Sequence, residues 1–190
     1  MALMKYESVI GLEVHAQLTT ESKMFCSCPA DYQGQSINTM VCPVCMGMPG
    51  SLPVINEKAV QLVIATGLAL NCSISEWTKF DRKNYPYPDL MKGYQISQYD
   101  YPIAYSGYLD ITSENILSTV RVNRVHLEED VAKLTHLGSN SKAPCTARKL
   151  FIFFTSTLDP RLESPIGLIL IFASHLKFPS SILHVDTPIN

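Results

Sequence analysis

Leu12-Glu-Val-His-Ala-Gln-Leu18 alternates apolar and polar residues without a break. A period of two is that of a half-buried strand, which the pattern extends over residues 6–18. Leu12, Val14, Ala16 and Leu18 share the face turned to a core. Glu13, His15 and Gln17 share the other, with Glu13 and His15 roughly 7 Å apart along the strand. Outward from this strand the periodicity changes. Residues 24–50 are loop-rich, with Cys26, Cys28, Cys42 and Cys45 among prolines and glycines. Asn56 then caps a helix running to about Leu70, with Val60, Val63, Ile64 and Leu68 as its apolar stripe, Gly67 allowing close packing and Asn71 at its end. Residues 80–100 are dense in Tyr, Pro and Asp, and the prolines at 86 and 88 forbid a regular helix, so this stretch reads as a polar, aromatic loop. Two short strands follow, around 109–112 and 119–127. The expected fold is α+β: a mixed or antiparallel sheet with a helix packed on it, an inserted zinc-knuckle-like loop and a poorly ordered tail.

Composition narrows the class. Hydrophobic residues make up 46% and charged residues 17% of 190, which describes a globular chain with a real core. The formal charge of −2 lacks the positive excess of a dedicated nucleic-acid binder, so an RNA substrate would need other chains for much of its phosphate contact. No secretory pattern opens the chain, and no apolar run approaches the ~18 residues of a membrane span. The expectation is a cytoplasmic protein, or one of an organelle matrix, with no membrane partner. In such a compartment six cysteines are better read as metal ligands or free thiols than as disulfides.

Three constellations carry chemistry. Gly11-Leu-Glu-Val-His15 pairs with His126-Leu-Glu-Glu-Asp130. A carboxylate and an imidazole on one strand face, completed by Glu128 or Glu129, can share Mg²⁺, which keeps several waters and needs only two or three protein ligands. Such an ion would polarise a phosphate in transfer. The same residues also suit a solvated sheet face. Strand phase slips near Arg124, which suggests a bulge and leaves open which of the two glutamates joins Glu13. Next, Cys26-x-Cys28 and Cys42-x-x-Cys45 have the spacing to wrap one tetrahedral, structural Zn²⁺, with free thiols as the alternative. Third, Phe80-Asp-Arg-Lys-Asn-Tyr-Pro-Tyr-Pro-Asp89 and Lys92-Gly-Tyr-Gln-Ile-Ser-Gln-Tyr-Asp100 interleave Arg82, Lys83 and Lys92 with Tyr85 and other tyrosines. Cations neutralise phosphate and aromatic faces stack on bases, while Gln95 and Gln98 offer amides to a base edge. A packed surface loop has the same composition. No P-loop, nucleophile elbow or H-E-x-x-H occurs, so any ATP site is of another kind.

The order of these pieces matches a known family. Val9-Ile-Gly-Leu-Glu-Val-His-Ala-Gln-Leu18, Ser22-Lys-Met-Phe25, Val41-Cys-Pro-Val-Cys45, Pro49-Gly-Ser-Leu-Pro-Val54, Gly67-Leu-Ala-Leu-Asn71, Phe80-Asp-Arg-Lys-Asn-Tyr85, Gly93-Tyr-Gln-Ile-Ser-Gln-Tyr-Asp100 and His126-Leu-Glu-Glu-Asp130 resemble the N-terminal cradle domain of the B subunit of aspartyl/glutamyl-tRNA(Asn/Gln) amidotransferase. The resemblance implies an ATP-dependent carbon–nitrogen ligase working in a heterotrimer with the A and C subunits. Glu-tRNA(Gln) or Asp-tRNA(Asn) is activated as an acyl phosphate, and ammonia from glutamine arrives from the A subunit, an amidase. It also implies Glu13, His15 and Glu129 as Mg²⁺ ligands with Glu128 adjacent in the catalytic set. The four cysteines look like the family's structural zinc knuckle, while Arg82, Lys83, Tyr85, Lys92, Gln95 and Gln98 are candidate cofactor-binding residues on their side-chain chemistry alone, without fixing which of them touch ATP. Pro86 and Met91 depart from the family pattern, where an aromatic and a proline are usual.

The resemblance ends near residue 137. The counts shift there from 10 Lys and Arg against 14 Asp and Glu to 5 against 3. Residues 1–137 therefore read as the family segment and 138–190 as an unrelated tail, from a reading-frame change or a fused end. The acidic segment the family places next is replaced, so this chain alone is expected to lack a complete metal shell. The alternative is a catalytically inactive, zinc-stabilised module that binds RNA or the amidase subunit.

Overall fold

The computed structural model describes residues 10–31, 34–36, 38–88, 90–113, 116–130, 135–137, 140–142 and 149–156. Strands β1 (Ile10–Ala16), β2 (Ser73–Ile74), β5 (Ala104–Ser113), β6 (Ile116–Glu128) and β9 (Lys149–Ser156) form one sheet in the order β1-β9-β6-β5-β2. Every pairing in it is antiparallel. Strands β3 (Asp81–Asn84) and β4 (Tyr94–Ser97) pair separately, as do β7 (Thr135–Leu137) and β8 (Asn140–Lys142). One helix, α1 (Glu57–Ala69), packs on the sheet.

The alternation read from the sequence holds in β1. Val14 and Ala16 are buried in the core with Val122, Val125 and Leu127 of β6, while Glu13 and His15 lie on the opposite, more open face. The phase slip near Arg124 is a register shift between Val122 and Arg124 in the pairing of β6 with β9. Val122, Val125 and Leu127 all reach the core because of that one added residue.

Helix α1 begins where its cap requires. Asn56 Oδ1 accepts from the N–H groups of Lys58 (2.9 Å) and Ala59 (3.3 Å), satisfying two donors the helix cannot. Its Nδ2 donates to Ser22 Oγ at 2.9 Å, which ties the helix start to the chain leaving β1. The buried stripe is Ala59, Val63, Thr66 and Gly67, closed by Leu70. Val60 and Ile64 flank it, but Leu68 is 60% exposed and does not belong to the stripe expected from sequence. At about 100° per residue Leu68 stands roughly 140° from Val63. Gly67 does allow close approach: a Cβ there would sit 2.6 Å from Ala104 Cβ. Asn71 takes φ +54°, and the Cys72 N–H returns to Gly67 O at 2.9 Å, which ends the helix and drops the chain into β2.

Two expectations change. The stretch 80–100 is not simply a loop. It forms the β3/β4 hairpin, with the prolines confined to its connection, where no ladder N–H is needed. The expectation of a poorly ordered tail gives way at residues 149–156. Leu150-Phe-Ile-Phe-Phe-Thr155 is rich in the aromatic and β-branched residues that strands favour, and β9 pairs with both β1 and β6. Residues 157–190 lie outside the described residues.

Candidate functional site

The cysteines come from two short turns. The first is closed by Lys23 N–H to Cys28 O (2.9 Å) and Ala30 N–H to Glu21 O (2.8 Å). The second winds Met46 N–H onto Cys42 O (3.0 Å) and Gly47 N–H onto Val44 O (3.0 Å), with Gly47 at φ +66°. Together they bring the sulfurs of Cys26, Cys28, Cys42 and Cys45 within 4.8 Å of one another. Thiolates around a tetrahedral Zn²⁺ stand about 3.8 Å apart, given Zn–S near 2.3 Å, so the donor set and its spacing fit that ion. Among the described residues no other group of three or more His, Cys, Asp or Glu ligand atoms gathers in this way.

Burial pushes the Cys26 thiol up and the Cys28 thiol up to about 11. Burial acts in the same direction on Cys42, but the backbone N–H of Cys45 and the neighbouring thiols outweigh it and bring Cys42 down to about 7. Cys45 Sγ accepts from the Cys42 N–H at 3.1 Å and lies 3.8 Å from the buried ammonium of Lys23. Lys23 does not stand out in the sequence. Its signal is a lysine three residues before the first cysteine of a metal-type pair.

On the open face of the sheet, rows of residues run across β1, β9 and β6. Glu13 is in register with Phe153 and then Arg124; His15 with Phe151 and then His126. Residues directly opposite share a face, so Glu13, His15, Arg124 and His126 lie on one side, and Glu128, two residues on, joins them. His15 Nε2 is 2.8 Å from Glu13 Oε1. Burial, reinforced by Arg124, Lys83 and His15, lowers His126 to about 3 and keeps it neutral. Burial likewise raises the carboxyl of Glu128, with Glu13 adding to the rise, while Lys83 and Ser97 oppose it. Lys83 Nζ reaches Glu128 Oε1 at 3.6 Å.

Glu129 goes elsewhere. Its carboxylate is gripped by the ammonium of Lys92, and both side chains are nearly buried. Its N–H donates to Ile96 O at 2.8 Å and its carbonyl accepts from Gln95 Nε2 at 2.6 Å. Of the three expected Mg²⁺ ligands, Glu13 and His15 share a face with Glu128, the residue expected beside them, whereas Glu129 is held in an ion pair with Lys92 beside β4. Among the described residues none of these four joins a three-ligand group at metal distance. His126 has no role in the sequence pattern beyond its motif, although counting back by two from Glu128 places it on this face.

The hairpin residues divide by burial. Arg82 and Lys83 are exposed. The Arg82 guanidinium stacks 4.0 Å from the Tyr94 ring centroid, and Lys83 lies 5.6 Å from that of Tyr85. Tyr85 Oη is 3.4 Å from Gln95 Oε1. Gln98 is 1% exposed and spends its amide internally, donating to Thr78 Oγ1 (2.6 Å) and accepting from the Leu127 N–H (3.1 Å). Gln95 and Gln98 therefore fasten β4 to the end of β6 rather than face solvent. No helix among the described residues is long and apolar enough to cross a membrane.

The described residues thus combine an antiparallel sheet and one packed helix with a four-cysteine cluster, a basic-aromatic hairpin and a sheet face bearing carboxylates and imidazoles. The chain belongs to the family described as the GatB/GatE catalytic domain, whose model matches residues 8–149. It is similar to the aspartyl/glutamyl-tRNA(Asn/Gln) amidotransferase B subunit of Dehalococcoides mccartyi strain CBDB1, with 63% identity over 132 residues, covering 70% of this chain and 27% of that protein. The B subunit of Thermomicrobium roseum is 62% identical over 133 residues (70% and 28%) and that of Thermotoga petrophila 56% over 137 (72% and 28%). The chain thus spans little more than a quarter of the length of the curated relatives it matches.

Proposed function

We propose that this chain provides the opening part of the catalytic domain of an amidotransferase B subunit. Its reaction class is the ATP-dependent conversion of Glu-tRNA(Gln) to Gln-tRNA(Gln), of Asp-tRNA(Asn) to Asn-tRNA(Asn), or of both. The side-chain carboxylate of the mischarged residue takes the γ-phosphoryl group of ATP. Ammonia released from glutamine on the amidase subunit then displaces phosphate from that acyl phosphate. The A (amidase) and C subunits are the proposed partners and the cytoplasm the proposed compartment. The observation that carries the reading is the shared face of Glu13, His15 and Glu128, bordered by Lys83 of the hairpin.

Glu13, His15 and Glu128 are the residues proposed to hold Mg²⁺, which when bound would offset charge on the phosphates of ATP. The Glu13–His15 contact supports this, because it fixes the imidazole beside the carboxylate before any ion arrives. The neutral state of His126 supports it too, since a second cation there would repel a metal. Lys83 and Arg82 are suited to phosphate, and Tyr85 and Tyr94 to a base or ribose. Gln95 and Gln98 act on this reading by holding the hairpin against β6. The cysteine knuckle supplies a structural zinc site, closed by four thiolates.

The test is Mg²⁺-dependent phosphate release from ATP, stimulated by Glu-tRNA(Gln), with the purified A and C subunits added. Stimulated turnover supports the catalytic reading. Binding of RNA or of the amidase subunit with no turnover supports the second reading, a zinc-stabilised binding module. That second reading is favoured by one observation: the acidic face is not assembled at metal distance among the described residues.

A further inference from the structure

The cysteine knuckle and the Lys92–Glu129 ion pair are neighbours. One small cavity is lined by residues of both, among them Cys26, Cys45, Gly47, Lys92, Tyr94 and Glu129. The contact between them is tight. A Cβ on Gly47 would fall 2.5 Å from Lys92 Cγ, 2.9 Å from Cδ and 3.0 Å from Cβ, so the lysine stem lies flat on the turn that carries Cys45. That turn is shaped by the Cys42 and Val44 carbonyls and has the positive φ a glycine adopts freely.

From Lys92 the connection continues inward. The side chains of Lys92 and Glu129 are 6% and 9% exposed, so the pair has little water to rearrange into. The Ile96 N–H donates to Glu129 Oε2 at 3.3 Å, and Glu129 N–H donates to Ile96 O at 2.8 Å. Glu129 is thus clamped to β4 by backbone and side chain, and the residue before it is Glu128, at the rim of the acidic face.

We propose that the knuckle is a positioning device for the end of β6: metal loading at the four thiolates sets the turn at Gly47, the turn sets the stem of Lys92, and Lys92 sets Glu129 and with it Glu128. Gly47 and Lys92 are positioning residues in this scheme. The inference rests on the zinc reading above and extends it, because a knuckle that only stabilised its own loop would leave Lys92 indifferent to metal. Coupling of this kind is reciprocal, so whatever zinc does for the ion pair, the ion pair does for zinc affinity.

The test uses the 190-residue chain, zinc-loaded and chelator-stripped, with reductive methylation of lysines followed by peptide mass spectrometry. Lys79, whose side chain is 34% exposed at the far end of the hairpin, is the internal reference. The expected result is Lys92 modified at least tenfold faster after zinc removal, with Lys79 unchanged. Equal Lys92 rates in the two states, with the far-ultraviolet dichroism preserved, overturn the proposal. Where stripping unfolds the whole chain, zinc-loaded Gly47→Ala decides. All four thiolates remain, so one zinc is retained, and Lys92 is expected to be modified at least tenfold faster than in the unaltered protein. Wild-type protection of Lys92 in that variant overturns the proposal. A chain that neither carries nor takes up zinc overturns the metal reading itself, a failure distinct from zinc uptake without an effect on Lys92.

Discussion

Replacing Gly67 with alanine sets two effects of opposite sign against each other. In an isolated helix the change is favourable by about 0.8–1.0 kcal/mol, because glycine loses more backbone freedom on folding. In this fold the added Cβ would stand 2.6 Å from Ala104 Cβ and 3.1 Å from Ile74 Cδ1. Ordinary carbon–carbon contact is about 3.5–4.0 Å, so α1 must retreat from β5 by roughly 1 Å. Neither side can give easily: Ala104 is fully buried, and its contact is a Cβ on the backbone rather than the tip of a flexible chain. The retreat loosens Val63 and Leu70, both fully buried on the same helix face. Overpacking of this kind costs about 1–3 kcal/mol and the loosened contacts add to it, so the strain exceeds the helix gain. The expected net result is a loss of about 1–2 kcal/mol, or a Tm lower by about 2–8 °C in a chain of this size. Urea unfolding followed by far-ultraviolet dichroism measures it. Leu68→Ala is the companion variant: its side chain is 60% exposed, so it should move stability by no more than about 0.5 kcal/mol. A Gly67→Ala protein as stable as the parent, or more so, would refute the close approach of helix and sheet.

Cys42→Ser should lose one equivalent of bound zinc and lower the melting temperature together, read by metal analysis and calorimetry; unchanged metal content would sink the knuckle. Glu128→Gln and Glu129→Gln should separate by kind. In phosphate-release assays with the A and C subunits, the first should raise the Mg²⁺ concentration required. The second, leaving Lys92 buried without its counter-charge, should first cost about 3–5 kcal/mol of stability in urea. Lys79 holds the Asp81 carboxyl below its ordinary value of 3.8, so this pair stabilises the fold above that pH and the contribution fades as pH falls through the lowered value. Asp81→Asn should flatten the stability profile below about pH 4, and an unchanged acid limb would show that the pair contributes nothing.

Much of this was legible in the residues, for identifiable reasons. The strand at 6–18 has a period of two because one face meets the core and the other does not, and β1 keeps that division. Asn56 announced the helix start because so few side chains can cap two amides. The cysteine spacing and the slip near Arg124 are local signals, and both appear in three dimensions. What failed to show depends on contacts distant in sequence. Leu68 resembles its apolar neighbours, and only the direction of the sheet decides that it faces out. Pro86 and Pro88 hid a hairpin because they lie in its connection, where they do no harm. Nothing local in Gln95 or Gln98 says that its amide is spent on Glu129 or Leu127, about thirty residues on. Which glutamate accompanies Glu13 needed the register of β6, which no count along a single strand supplies.

The long pairing of β5 with β6 has a consequence for how the molecule acquires its shape. Its register runs from Ser113↔Ile116 to Ala104↔Val125 through neighbours in sequence, so closing it takes a very short loop. Helix α1 and β2 lie upstream of it, with the β3/β4 hairpin between. Residues 56–128 can therefore assemble from mostly local encounters, while β1 must find β9 across more than a hundred residues. The hairpin is the local step, and the register shift near Arg124 is set only when β9 joins β6. β6, carrying His126 and Glu128, must first take up β9 before β1 can bring Glu13 and His15 alongside, so the acidic face is finished by its most distant members.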